Sequence, residues 1–256
     1  MFLFDIINYE KEGEVIMYNG DYVEENYGQS DVSIKNIGLL GKTFLWLMAG
    51  LIITGLTSFL IPTILDSIFL DDEAFVDALF NVVIGSSIYL VVGSLIIHIS
   101  AFFRKNSIFS GIAFVLYSIA MGGVLSIVAI AYDVSTILLA TGVTSLIFLG
   151  LGLYGLKTKA NVFGFIPFVI TFSIGCLILA IVNIFLRSEA IYYFIEIGTF
   201  AVFLIYIIID ANRVMRLQEI GENSNSVAVF CAYTLYTDFI YILLRILVII
   251  ANAKKK

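Results

Sequence analysis

The chain has 256 residues, 61% of them hydrophobic and 13% charged, with a formal net charge of −6. Soluble domains run nearer roughly 45–50% apolar and about 25% charged. That composition excludes an ordinary soluble domain and leaves an integral membrane protein with little mass outside the bilayer.

The first forty residues carry much of the negative charge, in Asp5, Glu10, Glu12, Glu14, Asp21, Glu24, Glu25 and Asp31. With little apolar periodicity, residues 1–40 read as a loosely ordered acidic tail ahead of a membrane domain spanning 41–256. Its charge argues against nucleic acid or anionic headgroups as partners. The start, Met1-Phe2-Leu3-Phe4-Asp5, lacks the basic opening of a secretory signal.

A bilayer core needs about 20 mainly apolar residues per helix. Seven such stretches follow, at residues 43–62, 79–101, 107–131, 135–155, 163–186, 190–210 and 227–251. Helices are the expected form, because hydrocarbon forces backbone groups to bond within their own segment. The fold class is therefore an all-α, seven-transmembrane-helix bundle. Pro62 reads as a helix end and Pro167 as a mild kink. Ser118, Gly122 and Ser126 form a small-residue stripe on the third segment, as Gly142, Ser145, Gly150, Gly152 and Gly155 do on the fourth. Both stripes suit close helix packing. Cys176 and Cys231 fall in apolar segments and read as small hydrophobes.

Basic residues set the orientation. Lys11, Lys35, Lys42, Arg104, Lys105, Lys157, Lys159, Arg213 and Arg216 fall on the side of the N-terminus; Arg187, Lys254, Lys255 and Lys256 fall on the other. This asymmetry predicts a cytoplasmic N-terminus. Short connections and the lack of a eukaryotic retention signal point to a bacterial plasma membrane.

Two carboxylates stand out. Asp238 lies within the seventh segment, and Asp210 closes the apolar run of the sixth, on the same side. A charge at mid-bilayer costs about 2.5–3.5 kcal/mol on insertion scales, so such residues tend to be functional. A loop of about sixteen residues, by the apolar limits, joins the two segments. Neighbouring helices would bring the carboxylates together, where they share a proton and titrate in two separated steps. The pair suits a pH sensor, and its hard oxygens suit Ca²⁺ as a bound or transported ion. Arg213, three residues after Asp210, is its local partner; Arg245 is nearly in phase with Asp238 but about 10 Å along the axis. Arg104 is a candidate bridge to the aspartates or a simple interfacial anchor. His98 and Glu196 read as packed or interfacial polar groups.

Enzymatic chemistries lack their residues. One histidine rules out a His-Glu-x-x-His set and a catalytic triad alike, no Gly-rich phosphate loop is present, and no cofactor is implied.

The stretch Leu235-Tyr236-Thr237-Asp238-Phe239-Ile240-Tyr241, continuing to Leu244-Arg245-Ile246, resembles the core motif of the Bax inhibitor family of membrane proteins. Leu204 to Asp210, Tyr154-Gly155-Leu156-Lys157-Thr158-Lys159 and Ile181-Val182-Asn183-Ile184-Phe185 are similar to further signatures of that family. The resemblance implies a bundle with helix seven near its centre and a pH-sensitive Ca²⁺ leak gated by Asp210 and Asp238. It also implies a latch from the second helix, for which Arg104 is the nearest match. Some relatives instead regulate other membrane proteins, such as proteases or cell-death factors, and that is the competing expectation. Tyr241 replaces the family's usual asparagine, Asn161 stands where an acid is common, and the second segment holds no carboxylate in its apolar span.

Overall fold

The computed structural model describes residues 38–69, 71–103, 107–160 and 162–254. The acidic tail and Arg104, Lys105 and Asn161 lie outside them. Seven helices follow in order: α1 (Leu39–Ile68), α2 (Asp72–Phe103), α3 (Ser107–Ala131), α4 (Val134–Lys157), α5 (Ile166–Leu186), α6 (Glu189–Glu219) and α7 (Asn225–Lys254). A short 3₁₀ turn, Val162–Phe165, precedes α5. No strand occurs among the described residues. Each helix is long and apolar enough to cross a bilayer. A 30-residue helix such as α1 spans about 45 Å, so its ends outrun a ~30 Å hydrocarbon core.

Pairwise contacts fix the directions. Thr54 on α1 meets Ser118 on α3, and Trp46 packs edge-on to Phe114, so α1 and α3 run parallel. Lys254 bonds Thr136 and Phe239 packs on Phe148, so α4 and α7 run antiparallel. α7 packs against α1, α2, α3, α4 and α6. The near face, where α1 and α7 begin and α4 and α6 end, is tied by polar bonds. Gln218 Oε1 accepts from the Leu40 amide at 2.9 Å, and Lys42 Nζ donates to the Asn223 carbonyl at 2.8 Å.

The largest departure from the apolar reading is at α6. It continues to Glu219, so Asp210 sits nine residues inside the helix and the connection to α7 shrinks to 220–224. Nothing in Ala211 to Glu219 breaks a helix; the residues are polar only because the segment leaves hydrocarbon. The stop comes at Gly221, whose positive φ of 80° is a left-handed position that favours glycine. Its amide bonds the Gln218 carbonyl at 3.0 Å, and the next amide, of Glu222, reaches back to Leu217 at 2.9 Å, the Schellman pattern.

The prolines exchange their expected roles. Pro62 lies inside α1, which runs on for six residues, whereas Pro167 sits in the first turn of α5, where no helical amide bond is lost. The break between the third and fourth segments is only Tyr132-Asp133. Asn183 acts locally, its Oδ1 accepting from the Ser188 amide at 2.9 Å and so holding the tight turn between α5 and α6.

The small-residue stripe of α3 faces inward, with Ser118 and Ser126 fully buried. On α4, Gly155 alone of the four glycines is crowded: a Cβ there would lie 2.9 Å from Ala211 Cβ on α6. Both cysteines are buried and free. A cleft of about 600 Å³ opens beside α1, α3 and α4 with Phe239, Ile240 and Leu243 of α7 in its wall. Hydroxyls on this cleft, such as Ser58 and Thr141, bond back to carbonyls of their own helices.

Candidate functional site

The near half of the α6–α7 interface gathers the charges. Asp210 and Asp238 are 6% and 4% exposed, whereas the other acids among the described residues are not buried. Burial follows from helix phase: Ile207, Asp210, Ala211 and Val214 share the inward stripe of α6, and Cys231, Leu235, Asp238 and Ile242 that of α7.

Asp210 pairs with Arg213 one turn later, at 2.9 Å, with both side chains largely buried. The charges acting on Asp238 are Asp210, of like sign, and Arg213, of opposite sign. Cys231, two turns nearer the end of the bundle, lies in the field of the same Arg213 and Asp210 and of Glu222. Asp238 therefore lies in the field of an ion pair rather than of an isolated acid. Its Oδ2 is buried without a hydrogen-bond partner among the described residues. A carboxylate oxygen left without a donor in a buried setting is costly, by about 1–3 kcal/mol or more. Such an atom calls for an explanation.

Two neighbours hold the frame. Asn212 is 2% exposed, and its Nδ2 donates to the carbonyls of Gly155 and Thr158, both at 3.0 Å. The Tyr-Gly-x-x-Thr-Lys stretch thus supplies the carbonyls that lock the end of α4 to α6 beside Asp210. Behind Asp238, Tyr236 is fully buried and its hydroxyl lies 2.6 Å from Thr54 Oγ1, which donates to the Ser118 carbonyl at 2.9 Å. This bond fastens α7 to α1 and α3.

The other sequence candidates fall elsewhere. Arg245 is not at the aspartates; it forms an ion pair with Glu196 in the far half of the interface. Its partner on α6 lies fourteen residues before Asp210, so the pair forms well away from the aspartates. Glu196 is thereby a paired acid inside the seam rather than a simple interfacial one. His98 packs edge-on to Phe230 and Tyr233 of α7, at 5.3 and 5.5 Å between ring centroids, with Nδ1 2.7 Å from the Ser94 carbonyl. Arg104, the candidate latch, lies outside the described residues.

Sequence reasoning missed Asn212 and the Glu196–Arg245 pair. The sixth segment ends at Asp210 only if the polar residues after it are read as loop. Continuing the helix would have put Asn212 on the α4 side, next to a glycine. Glu196 and Arg245 lie on different segments, and no local pattern joins them.

Among the described residues, no group of three or more His, Cys, Asp or Glu side chains is placed to hold a metal. The site offers carboxylate oxygens in a protein-lined, charged interior. An arrangement of that kind can exchange protons, or give brief coordination to a hard cation that keeps much of its water.

A family model described as "Inhibitor of apoptosis-promoting Bax1" matches residues 38–255. The inner membrane protein YbhL of Escherichia coli is 27% identical over 227 residues, covering 84% of this chain and 92% of its own. A Borreliella burgdorferi protein is 30% identical over 138 residues, covering 52% of this chain and 60% of its own. A membrane protein of Streptococcus pyogenes is 27% identical over 146 residues, covering 56% and 64% respectively. With seven spanning helices and an inner-membrane relative, the chain is a multi-pass integral membrane protein.

Proposed function

The chain belongs to the Bax inhibitor family, a match that takes in all seven helices, and from that premise we propose that it is a pH-sensitive leak for Ca²⁺ controlled by Asp210 and Asp238. The observation that carries this reading is the buried Asp238 carboxylate, with one oxygen unpartnered and the Asp210–Arg213 ion pair close enough to act on its charge. A purely structural acid would have both oxygens satisfied, since membrane helices tolerate few unpaired polar groups.

The proposed device works by competition for charge. With both carboxylates ionised, Arg213 has two acids to serve and the seam presents a net negative site to a cation. Protonating one acid leaves a single carboxylate for Arg213 and removes that negative charge. Either state changes how tightly α6 and α7 hold together, because both groups lie between those helices. Two carboxylates fall short of the 6–8 oxygens that Ca²⁺ prefers, so the reading is of a hydrated ion in transit, not a resident one. The near face is proposed as cytoplasmic, in a bacterial plasma membrane, which puts the control site within reach of cytoplasmic protons. Transport is proposed in place of catalysis, with no resident cofactor.

The test is Ca²⁺ flux into liposomes holding the purified chain, measured across pH. Wild type is expected to pass Ca²⁺ with a marked pH dependence. Asp238→Asn, which fixes the site in a form like the protonated acid, is expected to hold flux near the wild-type acid value at every pH. Identical flux and pH profile in both proteins would sink the proposal. Deleting residues 1–35 separates the rival family reading: a regulator acting through that tail would lose its partner effect and keep its flux.

A further inference from the structure

The seam between α6 and α7 carries charge twice. Beyond the aspartates, fourteen residues back along α6 from Asp210, Glu196 forms an ion pair with Arg245 of α7. Side-chain exposures of 23% and 24% set this pair half inside the seam. A directed chain of donors fastens it: Arg245 Nε donates to the Tyr241 hydroxyl at 3.1 Å, Tyr241 donates to Thr199 Oγ1 at 2.7 Å, and Thr199 donates to the Ile195 carbonyl at 2.7 Å. The Arg245 guanidinium also lies 5.1 Å from the centre of the Tyr241 ring. Tyr192 is the other titratable group acting on Arg245.

Between the two charged stations the seam is shut by stacked and apolar groups. Tyr241 lies flat on Phe203, with centroids 3.6 Å apart, and Ile207 and Ile242 behind them are fully buried. A buried polar atom stands on α4, which packs against both helices. Thr144 of α4 is fully buried and its Oγ1 has no hydrogen-bond partner among the described residues. Its level is set by the α4–α7 register: Thr136 faces Lys254 and Phe148 faces Phe239, so Thr144 lies within a turn of the level of Arg245 on α7. The series along the seam and its α4 wall is thus an unpartnered carboxylate oxygen, then, at the far station, an unpartnered hydroxyl beside a carboxylate occupied by an arginine.

A brace does not need that series. Ion pairs in low dielectric are often no more stabilising than apolar packing of equal volume, and charges at membrane depth are retained chiefly where they act. We propose that Glu196 is a second cation-binding carboxylate on the path, and that Arg245, steered by Tyr241 and Thr199, is the tethered cation that occupies it and closes the far end. The inference rests on the conduction reading above and deepens it, placing a far gate in series with the aspartates.

The test uses the full chain in liposomes with Ca²⁺ as the probe. Arg245→Gln is expected to raise Ca²⁺ flux several-fold by freeing Glu196, and adding Glu196→Gln to it is expected to return flux to the wild-type level or below. Arg245→Lys, which keeps a tethered cation, should stay near wild type. A structural brace would behave differently, with Arg245→Gln losing flux and the double variant recovering nothing. Wild-type flux in Arg245→Gln, alongside altered flux in Asp238→Asn, would overturn the gate and leave the aspartate reading standing. A second readout does not depend on conduction. In a chain with Cys176 and Cys231 replaced by alanine, Ile207→Cys is labelled by a membrane-impermeant thiol reagent added on each side of the vesicle in turn. Arg245→Gln should speed labelling from one side; equal rates with and without Arg245 would overturn the gate whatever the flux.

Discussion

Asp238 keeps a carboxylate oxygen without a donor at 4% exposure, while Asp210, one helix away, is paired directly with Arg213 at 2.9 Å. In the proposed mechanism this asymmetry gives the two acids different roles. Asp210 and Arg213 form a local i, i+3 pair that any helix could make. Asp238 is the group whose charge is only partly answered, so its protonation is the larger perturbation. Asn212, two residues after Asp210, ties α6 to the end of α4, because its amide donates to two carbonyls there. Asn212→Ala leaves both without this donor. It should cost about 1–3 kcal/mol, the penalty for buried groups left unpaired. Detergent-solubilised protein should then melt lower by about 2–4 °C per kcal/mol, and an unchanged midpoint would mean the carbonyls find other partners. The two aspartates were legible in the sequence, since each is a carboxylate within or at the edge of an apolar run. Asn212 was not, because one amide among polar residues carries no periodic signal.

The elements show where hydropathy stops informing. Apolar runs located all seven helices, yet α6 and α7 extend beyond them at the near face, to Glu219 and from Asn225. Hydropathy registers the solvent around a segment, while the helix continues wherever propensity and capping permit. A glycine followed the run, and Gly221 does end α6; weighing it as a C-terminal signal would have moved the boundary from 210 to 219 and shortened the loop. The same cap makes a prediction. Gly221→Ala forces a side chain into the left-handed region, at a cost of roughly 1–2 kcal/mol. Thermal unfolding should fall accordingly, with the pH profile of flux retained, since Gly221 touches neither acid. A shifted pH profile would show that this short turn sets the α6–α7 alignment more directly than the cap alone explains. Pro62 and Pro167 carry the companion lesson: the sequence marks a proline, but only the helix start decides whether it lies in the first turn or the interior.

At the scale of the whole molecule, seven helices place one charged station in each half of a single seam, with aromatic and branched side chains between them. The bundle supplies a low-dielectric wall around the stations, which strengthens every charge interaction inside it. α7 bears on both stations and also on α1, α2, α3 and α4, so a change in its hold on α6 reaches much of the bundle. The fold class followed from composition, because a chain this apolar has few soluble alternatives. The far station did not, since Glu196 and Arg245 are brought together only by the antiparallel register of two helices.

The central claim is that Asp210 and Asp238 act as one titrating unit that controls cation passage. The most direct measurement is the pH profile of Ca²⁺ flux in liposomes for wild type, Asp210→Asn, Asp238→Asn and the double variant. A coupled unit predicts non-additivity: each single variant removes most of the pH dependence, and the double variant changes the profile little further. Independent, additive shifts from the two substitutions would contradict it, as would four identical profiles.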